Sequence, residues 1–322
     1  MQVVQIEHDD AGTRLDRWLR RRLKLKSLSE IYQLIRRGGV KVNGKKKKES
    51  YRLKEGDRLD LSVSATELST SADALPPTAA GLAGTRFFER NFKLIYEDDN
   101  LLVCDKPTGL VVHAGTGHLK QDSLIDLAAA YLARRPGGSE RRPYLVHRLD
   151  RDTSGVLLIA KNRRTLGALH DAFRGHALDK EYVALCHGRP TPESGVVDVG
   201  LVRDFDRHDG TKVQVSKRGR RSVSRYRTVG TRGPCSRVAI ELATGRTHQI
   251  RVHMAHLSCP VVGDVRYGDK ARDRRLFENE PARVKRLYLH ASRISFYYSA
   301  LRRMVTFEAE EPAAFARLWQ TL

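Results

Sequence analysis

At 322 residues and 36.4 kDa the chain exceeds the usual single-domain size, so a main domain with a smaller companion is expected. Its 59 Lys and Arg against 38 Asp and Glu leave a formal charge of +21, which argues against an enzyme of small neutral metabolites and favours a polyanion, nucleic acid ahead of an anionic membrane surface. No apolar run approaches the roughly 20 residues of a membrane span, and the start MQVVQIEHDDAGTR lacks the basic and apolar regions of a signal peptide, so a cytoplasmic protein with no membrane partner is expected.

Arg14 to Val63 holds 17 Lys and Arg against six Asp and Glu, a net +11, about half of the chain's excess. Leu15, Trp18, Leu19 and Leu23 recur at helical spacing after Thr13, which with Asp16 resembles a capping box. A second helix starting near Ser27 or Ser29 would bury Ile31, Leu34 and Ile35 and stop at Gly38 and Gly39. VKVNG at Val40–Gly44 carries a hairpin turn signal, and Leu59, Leu61 and Val63 alternate like a half-buried strand. The lysines from Lys45 to Lys48 suit a solvated hairpin edge and a phosphate contact equally.

Residues 64–86 are rich in Ser, Thr, Ala, Gly and Pro without an apolar period, as a flexible tether would be. Beyond it, short apolar runs alternate with amphipathic stretches. LIYEDDNLLVC is followed by a helix from Ser123 using Leu124, Leu127 and Tyr131, then by YLVHRLD and VLLIAK, then by a helix carrying Leu166, Leu169 and Phe173. The expected organisation is 1–63 as a basic module, 64–86 as a linker and 87–322 as a mixed α and β domain with one sizeable sheet. Arg203 to Arg221 is expected to be a loop. Cys104, Cys186, Cys235 and Cys259 form no CxxC pair and are expected to be reduced and mostly buried.

HRLDRDTSGVLLIA at His147–Ala160 places Asp150 in a turn between two apolar strands, on rigid backbone. An Asp so placed is more often a hydrogen-bond cap than a catalyst, so the residues alone leave both readings open. Asp150 with Asp152 also suggests a glycosidase acid and base pair, against which the charge of +21 weighs. His248, His253 and His256 lie close together, but no carboxylate supplies a further ligand, so structural histidines and no metal are expected.

HRLDxxTSG is similar to the central motif of the RluA family of pseudouridine synthases. NLLVCDKPTG at Asn100–Gly109, KEYVA at Lys180–Ala184, LATGRTHQIRVH at Leu242–His253 and LHA at Leu289–Ala291 match further family segments in order, from about Leu94 to Phe307. The first fifth of the chain, with RLDRWLRRRL and GGVKVNG, resembles an S4 RNA-binding domain. The resemblance implies an α+β fold: a central mixed, mostly antiparallel sheet flanked by helices and loops, plus a small N-terminal S4 (α-L) domain. It implies Asp150 as the catalytic carboxylate, Arg251 as its ion-pair partner and Tyr182 as the residue stacking on the uracil.

Arg148 is implied to fill the gap left by a flipped base, the bland alternative being a pair with Asp152. Arg246, with Arg17, Arg20, Arg21, Arg36, Arg37 and Lys41 of the S4-like module, is a candidate RNA contact. A merely solvated basic face is the alternative for that module. The implied partner is large-subunit ribosomal RNA or its assembly intermediates, bound by a monomer. The isomerisation involves no net redox change or hydrolysis, so no cofactor is expected. Transfer RNA as substrate, a non-catalytic ribosome-assembly factor and a DNA-binding protein are the competing readings.

Overall fold

The computed structural model describes residues 2–6, 10–23, 28–63, 86–113, 123–135, 142–175, 177–204, 212–278 and 286–322. Internal contacts divide the chain into two compact units, Met1–Ala83 with Ala129–Arg142, and Gly84–Ala128 with Pro143–Leu322.

In the first unit, β1 (Gln2–Gln5), β3 (Arg58–Leu61) and β2 (Val40–Val42) form an antiparallel sheet in that order, beside helices α1 (Leu15–Arg22) and α2 (Leu28–Arg36). The helical repeat expected from the apolar residues is present. Leu15, Trp18, Leu19, Ile31 and Ile35 are buried in one cluster with Val40, Val42, Leu59 and Leu61. Strand β1 was not foreseen, because QVVQ is too short to show a period.

The capping box is not formed. Thr13 Oγ1 is buried without a hydrogen-bond partner among the described residues. The Asp16 carboxylate instead takes bonds of 3.1 and 2.7 Å from Arg14 and one of 2.7 Å from the Arg17 amide. The first amides of α1 are satisfied from a distant loop, Leu15 N by Tyr51 O at 2.8 Å and Asp16 N by Glu49 O at 3.0 Å. Helix α2 ends at Gly38, whose φ is +77°, with Gly39 N bonded to Leu34 O at 2.9 Å. Asn43 and Gly44 make the two-residue turn, closed by Val42 N to Lys45 O at 2.8 Å.

Arg17, Arg20, Arg36 and Arg37 are exposed and Lys41 is half-buried; the side chain of Arg21 lies outside the described residues. The expected linker 64–86 lies outside them as well, except Arg86, which begins helix α3 (Arg86–Asn91) of the second unit.

The second unit is built on an 11-stranded sheet of order β10-β9-β11-β12-β8-β13-β7-β5-β4, with β14 on β13 and β6 on β7. Its strands are β4 (Lys93–Glu97), β5 (Leu101–Lys106), β6 (Tyr144–Leu145), β7 (Ser154–Ala160), β8 (Leu178–His187) and β9 (Ser194–Asp204). They continue as β10 (Lys212–Val215), β11 (Arg220–Arg232), β12 (Cys235–Leu242), β13 (Leu289–Tyr298) and β14 (Arg303–Glu308). The remaining helices are α4 (Leu124–Ala133), which falls to the first unit from Ala129 on, α5 (Arg163–Arg174), α6 (Gln249–His256), α7 (Lys270–Leu276) and α8 (Ala313–Thr321). The sheet is mixed: among the described residues, only β13 against β7 is parallel. The stretch 203–221 is a loop only in part, since it closes β9, contains β10 and opens β11; residues 205–211 lie outside the described set. Among the described residues no helix is long and apolar enough to cross a membrane. All four cysteines are buried free thiols.

Local signals seat the helices. Ser123 N and Oγ both bond Asp126 Oδ2, at 3.0 and 2.6 Å, at the start of α4. Asn162 accepts from Thr165 N at 2.9 Å at the start of α5. Every residue of β7 is buried, as expected of a central strand covered on both faces. Val156 and Leu158 share a core with Leu101, Val103 and Phe296.

The parallel junction consists of His290 opposite Ser154 and Ala291 opposite Gly155. Gly155 has φ +118°, and a Cβ there would lie 2.1 Å from Ala291 O, so no side chain fits. Gly155→Ala is therefore expected to cost about 3 kcal/mol or more. Gly44→Ala, with nothing within 4 Å of its Cβ, should cost only about 1 kcal/mol. Urea unfolding midpoints of the two variants provide the comparison.

Candidate active site

Asp150 lies in the turn entering β7, and a second segment holds that turn from behind. Lys106, at the end of β5, is fully buried and donates from Nζ to Pro107 O (2.8 Å), Leu110 O (2.7 Å) and Arg151 O (2.8 Å). Thr108 Oγ1 donates to Asp152 O at 2.7 Å, and Gly109 N to Arg151 O at 2.9 Å. The KPTG segment thus consumes the carbonyls of the turn and leaves the Asp150 carboxylate facing a cavity. Burial pushes Lys106 down to about 7. Three carbonyl acceptors match the three N–H bonds of the protonated amine.

That cavity has a volume of about 500 Å³, and its walls include Arg148, Asp150, Lys180, Tyr182, Arg246 and Arg251. Arg251 lies on α6 and is buried. Its Nη1 reaches Asp150 Oδ2 at 3.4 Å, whereas Nε and Nη2 each donate to Asp264 at 2.7 Å. The expected partnership of Arg251 with Asp150 is present but secondary. Asp264, which sequence reasoning missed, is the main anchor, so loss of Asp150 does not strip the guanidinium of its counter-charge.

Burial opposes ionisation of Asp264. The two Arg251 hydrogen bonds and the Arg251 charge, with the amides of Tyr267 and Arg266, outweigh it and hold this carboxyl below its usual range. Arg251 is likewise held above its ordinary value, the Asp264 bonds overcoming the effect of burial. The Arg251 guanidinium also stands 5.1 Å from the centre of the Tyr267 ring.

Tyr182, on β8, is buried with its ring in the cavity wall; burial and then the Asp150 charge push its hydroxyl upward, so it is a neutral phenol at ordinary pH. Arg148 is exposed at the rim. The alternative pair of Arg148 with Asp152 does not occur: Asp152 is held by Arg151 at 2.9 and 3.2 Å, and Arg148 makes no ion pair among the described residues. Arg246 lies on the loop before α6. Gln249 fixes that loop, accepting from Thr244 Oγ1 (2.8 Å) and Arg246 N (3.0 Å) and donating to Val223 O and Ser224 Oγ (3.0 Å each).

The histidines divide by role. His253 is buried between Ser222 and Ser224 at 2.9 Å from each. His248, at φ +55°, bonds Tyr267 through Nδ1 at 2.7 Å and brings Nε2 to 3.9 Å from Asp150. Burial lowers His248, against the pull of Asp150. Lys180, also missed, lies two residues before Tyr182 on β8 and 5.2 Å from the centre of the Phe173 ring; burial lowers it. The period of two in KEYVA signalled that Lys180 and Tyr182 share a face. Nothing local marked Asp264, whose partner is a helix away.

One accessible carboxylate, a flat apolar ring and a surplus of cations suit chemistry at a nucleoside carbon of an anionic chain. The RNA pseudouridylate synthase family matches residues 100–256 and the S4 domain family matches residues 13–59. The chain belongs to the RNA pseudouridylate synthases and is an enzyme of that class. It is 36% identical over 325 residues to ribosomal large subunit pseudouridine synthase C of Salmonella typhimurium, covering 100% of this chain and 97% of that one. The corresponding Escherichia coli K12 protein is 35% identical over the same span. Among solved structures, human RNA pseudouridylate synthase domain containing 4 superposes with a TM-score of 0.60 at 25% identity, covering 76% of this chain and 96% of that one. Human domain containing 1 shares the fold, with a TM-score of 0.57 at 22% identity over 71% of this chain and 88% of that one.

Asp264→Asn tests the anchor. Breaking a buried pair should cost about 3 kcal/mol at pH 7. A carboxyl held low contributes stability above its unfolded pKa of about 4 and loses it as pH falls through the lower folded value. The gap between wild type and variant in urea midpoints should therefore narrow below about pH 4.

Proposed function

We propose that the chain converts specific uridines of 23S (large-subunit) ribosomal RNA to pseudouridine, with Asp150 as catalytic carboxylate. The observation that carries this reading is the position of Asp150: a partly exposed carboxylate at the wall of a cationic cavity, 3.4 Å from an arginine already anchored by Asp264. The relatives named for the large ribosomal subunit supply the substrate class.

In the reaction the bond from ribose C1′ to uracil N1 breaks, the base turns, and C5 bonds to C1′; the proton lost from C5 is balanced by one gained at N1. Asp150 supplies the anionic group beside the ribose. Arg251 stands beside it as a fixed positive charge and aims it. The Tyr182 ring stacks on the uracil and holds the detached base, and its neutral hydroxyl is placed to pass a proton. Arg148, in no ion pair among the described residues, takes the place of the flipped base, and Arg246 meets the backbone. The exposed Arg17, Arg20, Arg36 and Arg37, with Arg21 and Lys41, present the S4 domain to RNA.

Tritium release from 5-tritiated uridine in separate large-subunit, small-subunit and transfer RNA transcripts tests the reading. Release confined to the large-subunit transcript and lost in Asp150→Asn is the expected result; release from transfer RNA would move the substrate, and release persisting in the variant would remove Asp150 as catalyst. Replacing Arg17, Arg20, Arg36 and Arg37 together by Gln should flatten the slope of log affinity against log salt by about 3. An unchanged slope would take the S4 helices off the RNA.

A further inference from the structure

A second cavity, of about 720 Å³, lies behind the Asp150 turn and shares Arg251 as a wall with the first. Arg286 lines it with only 9% of its surface exposed. Arg286 Nε donates to Leu287 O at 3.2 Å and Nη2 to Ser154 Oγ at 2.7 Å. The guanidinium stands 5.1 Å from the centre of the Phe315 ring. Among the described residues Nη1 has no acceptor and no carboxylate forms an ion pair with this cation, although the charge of Asp105 acts on it; burial lowers its affinity for the proton. A guanidinium nine-tenths buried with one donor edge left to the cavity suits an anion.

Asp105 acts on Arg286 only through space, being outside the cavity lining and 4.0 Å from Lys93, and the acids that line the cavity are already engaged. Asp152 is bound to Arg151, Asp264 to Arg251, and Asp273 to His187 Nε2 at 2.7 Å and to Gly263 N at 3.0 Å. The mouth adds Lys270 and Arg274 on α7, both exposed and in no ion pair among the described residues. Phe277 and Leu287 complete the walls. Ser154, which receives Arg286 Nη2, belongs to the strand that follows the Asp150 turn, so an anion here lies beside the candidate active site.

We propose that this cavity is a phosphate site, in which Arg286 binds a phosphate oxygen at the back and Lys270 and Arg274 draw the group in. Arginine suits the task because its planar fork matches phosphate geometry and it stays charged. The occupant is a backbone phosphate of the RNA whose uridine enters the neighbouring cavity. This rests on RNA binding by the enzyme and not on the role of Asp150.

The test compares full-length wild type, Arg286→Gln, the mouth pair Lys270→Gln with Arg274→Gln, and a control pair, Arg303→Gln with Arg317→Gln, that removes the same charge away from the cavity lining. Affinity for the large-subunit transcript is measured against salt. Arg286→Gln and the mouth pair should each weaken binding about tenfold and flatten the salt slope, by about one per charge removed, while the control pair changes neither. If Arg286→Gln does not fold by near-ultraviolet circular dichroism, the mouth pair decides alone.

Titration with inorganic phosphate followed by phosphorus NMR separates the two sources. Saturable broadening lost in Arg286→Gln or the mouth pair, with transcript affinity unchanged, would keep the phosphate site but assign it to free phosphate. Equal weakening in the control pair, or no change in either assay, overturns the proposal. Tritium release by Asp150→Asn is read apart from this binding assay, so a failed cavity is distinguishable from a failed assignment of the catalyst.

Discussion

The guanidinium of Arg251 is gripped by Asp264 through two bonds of 2.7 Å and meets Asp150 only at 3.4 Å. That inequality organises the site. A carboxylate fully paired with arginine would be spent, its lone pairs committed and its nucleophilicity reduced. A carboxylate with no cation nearby would have nothing to fix its direction in the cavity. Giving the arginine its own buried counter-ion leaves Asp150 beside a fixed positive charge that it does not have to neutralise. Electrostatic support of this kind works because it is set before the substrate arrives.

The backbone is prepared in the same way. Lys106, Thr108 and Gly109 occupy the carbonyls of the turn at residues 151 and 152, so the polar atoms of that turn have no need of solvent. Gln249 does the same for the loop carrying Arg246, using both ends of its amide. Rigid supports placed behind mobile-looking segments let loops carry chemistry with the precision of strands.

Much of this was legible in the chain itself. The apolar runs LLVC and VLLIA and the helical spacing of Leu15, Trp18 and Leu19 report burial directly, because side-chain period follows backbone geometry. The motif residues around Asp150, Tyr182 and Arg251 meet at one cavity. What escaped is tertiary. Thr13 and Asp16 satisfy the local rule for a cap, yet carbonyls of Glu49 and Tyr51 take the amides first. Asp264 shows no pattern of its own, and only the path of the chain after α6 brings it to Arg251. The burial of Lys106 is equally invisible, since a lysine beside a proline reads as surface until three carbonyls converge on it.

The parallel junction of β13 with β7 joins His290 to Ser154 across 136 residues, through Ser154 Oγ and His290 Nδ1 at 2.9 Å as well as the strand ladder. A nascent chain that has already emitted Asp150, Tyr182 and Arg251 still lacks the strand against which the start of β7 is seated. Contacts so far apart in sequence carry a large loop-closure cost and cannot be replaced by local ones. The enzyme is thus timed by its own synthesis: the pocket is completed only once β13 has been made, and chains terminated before it carry the reactive groups without the frame that sets them.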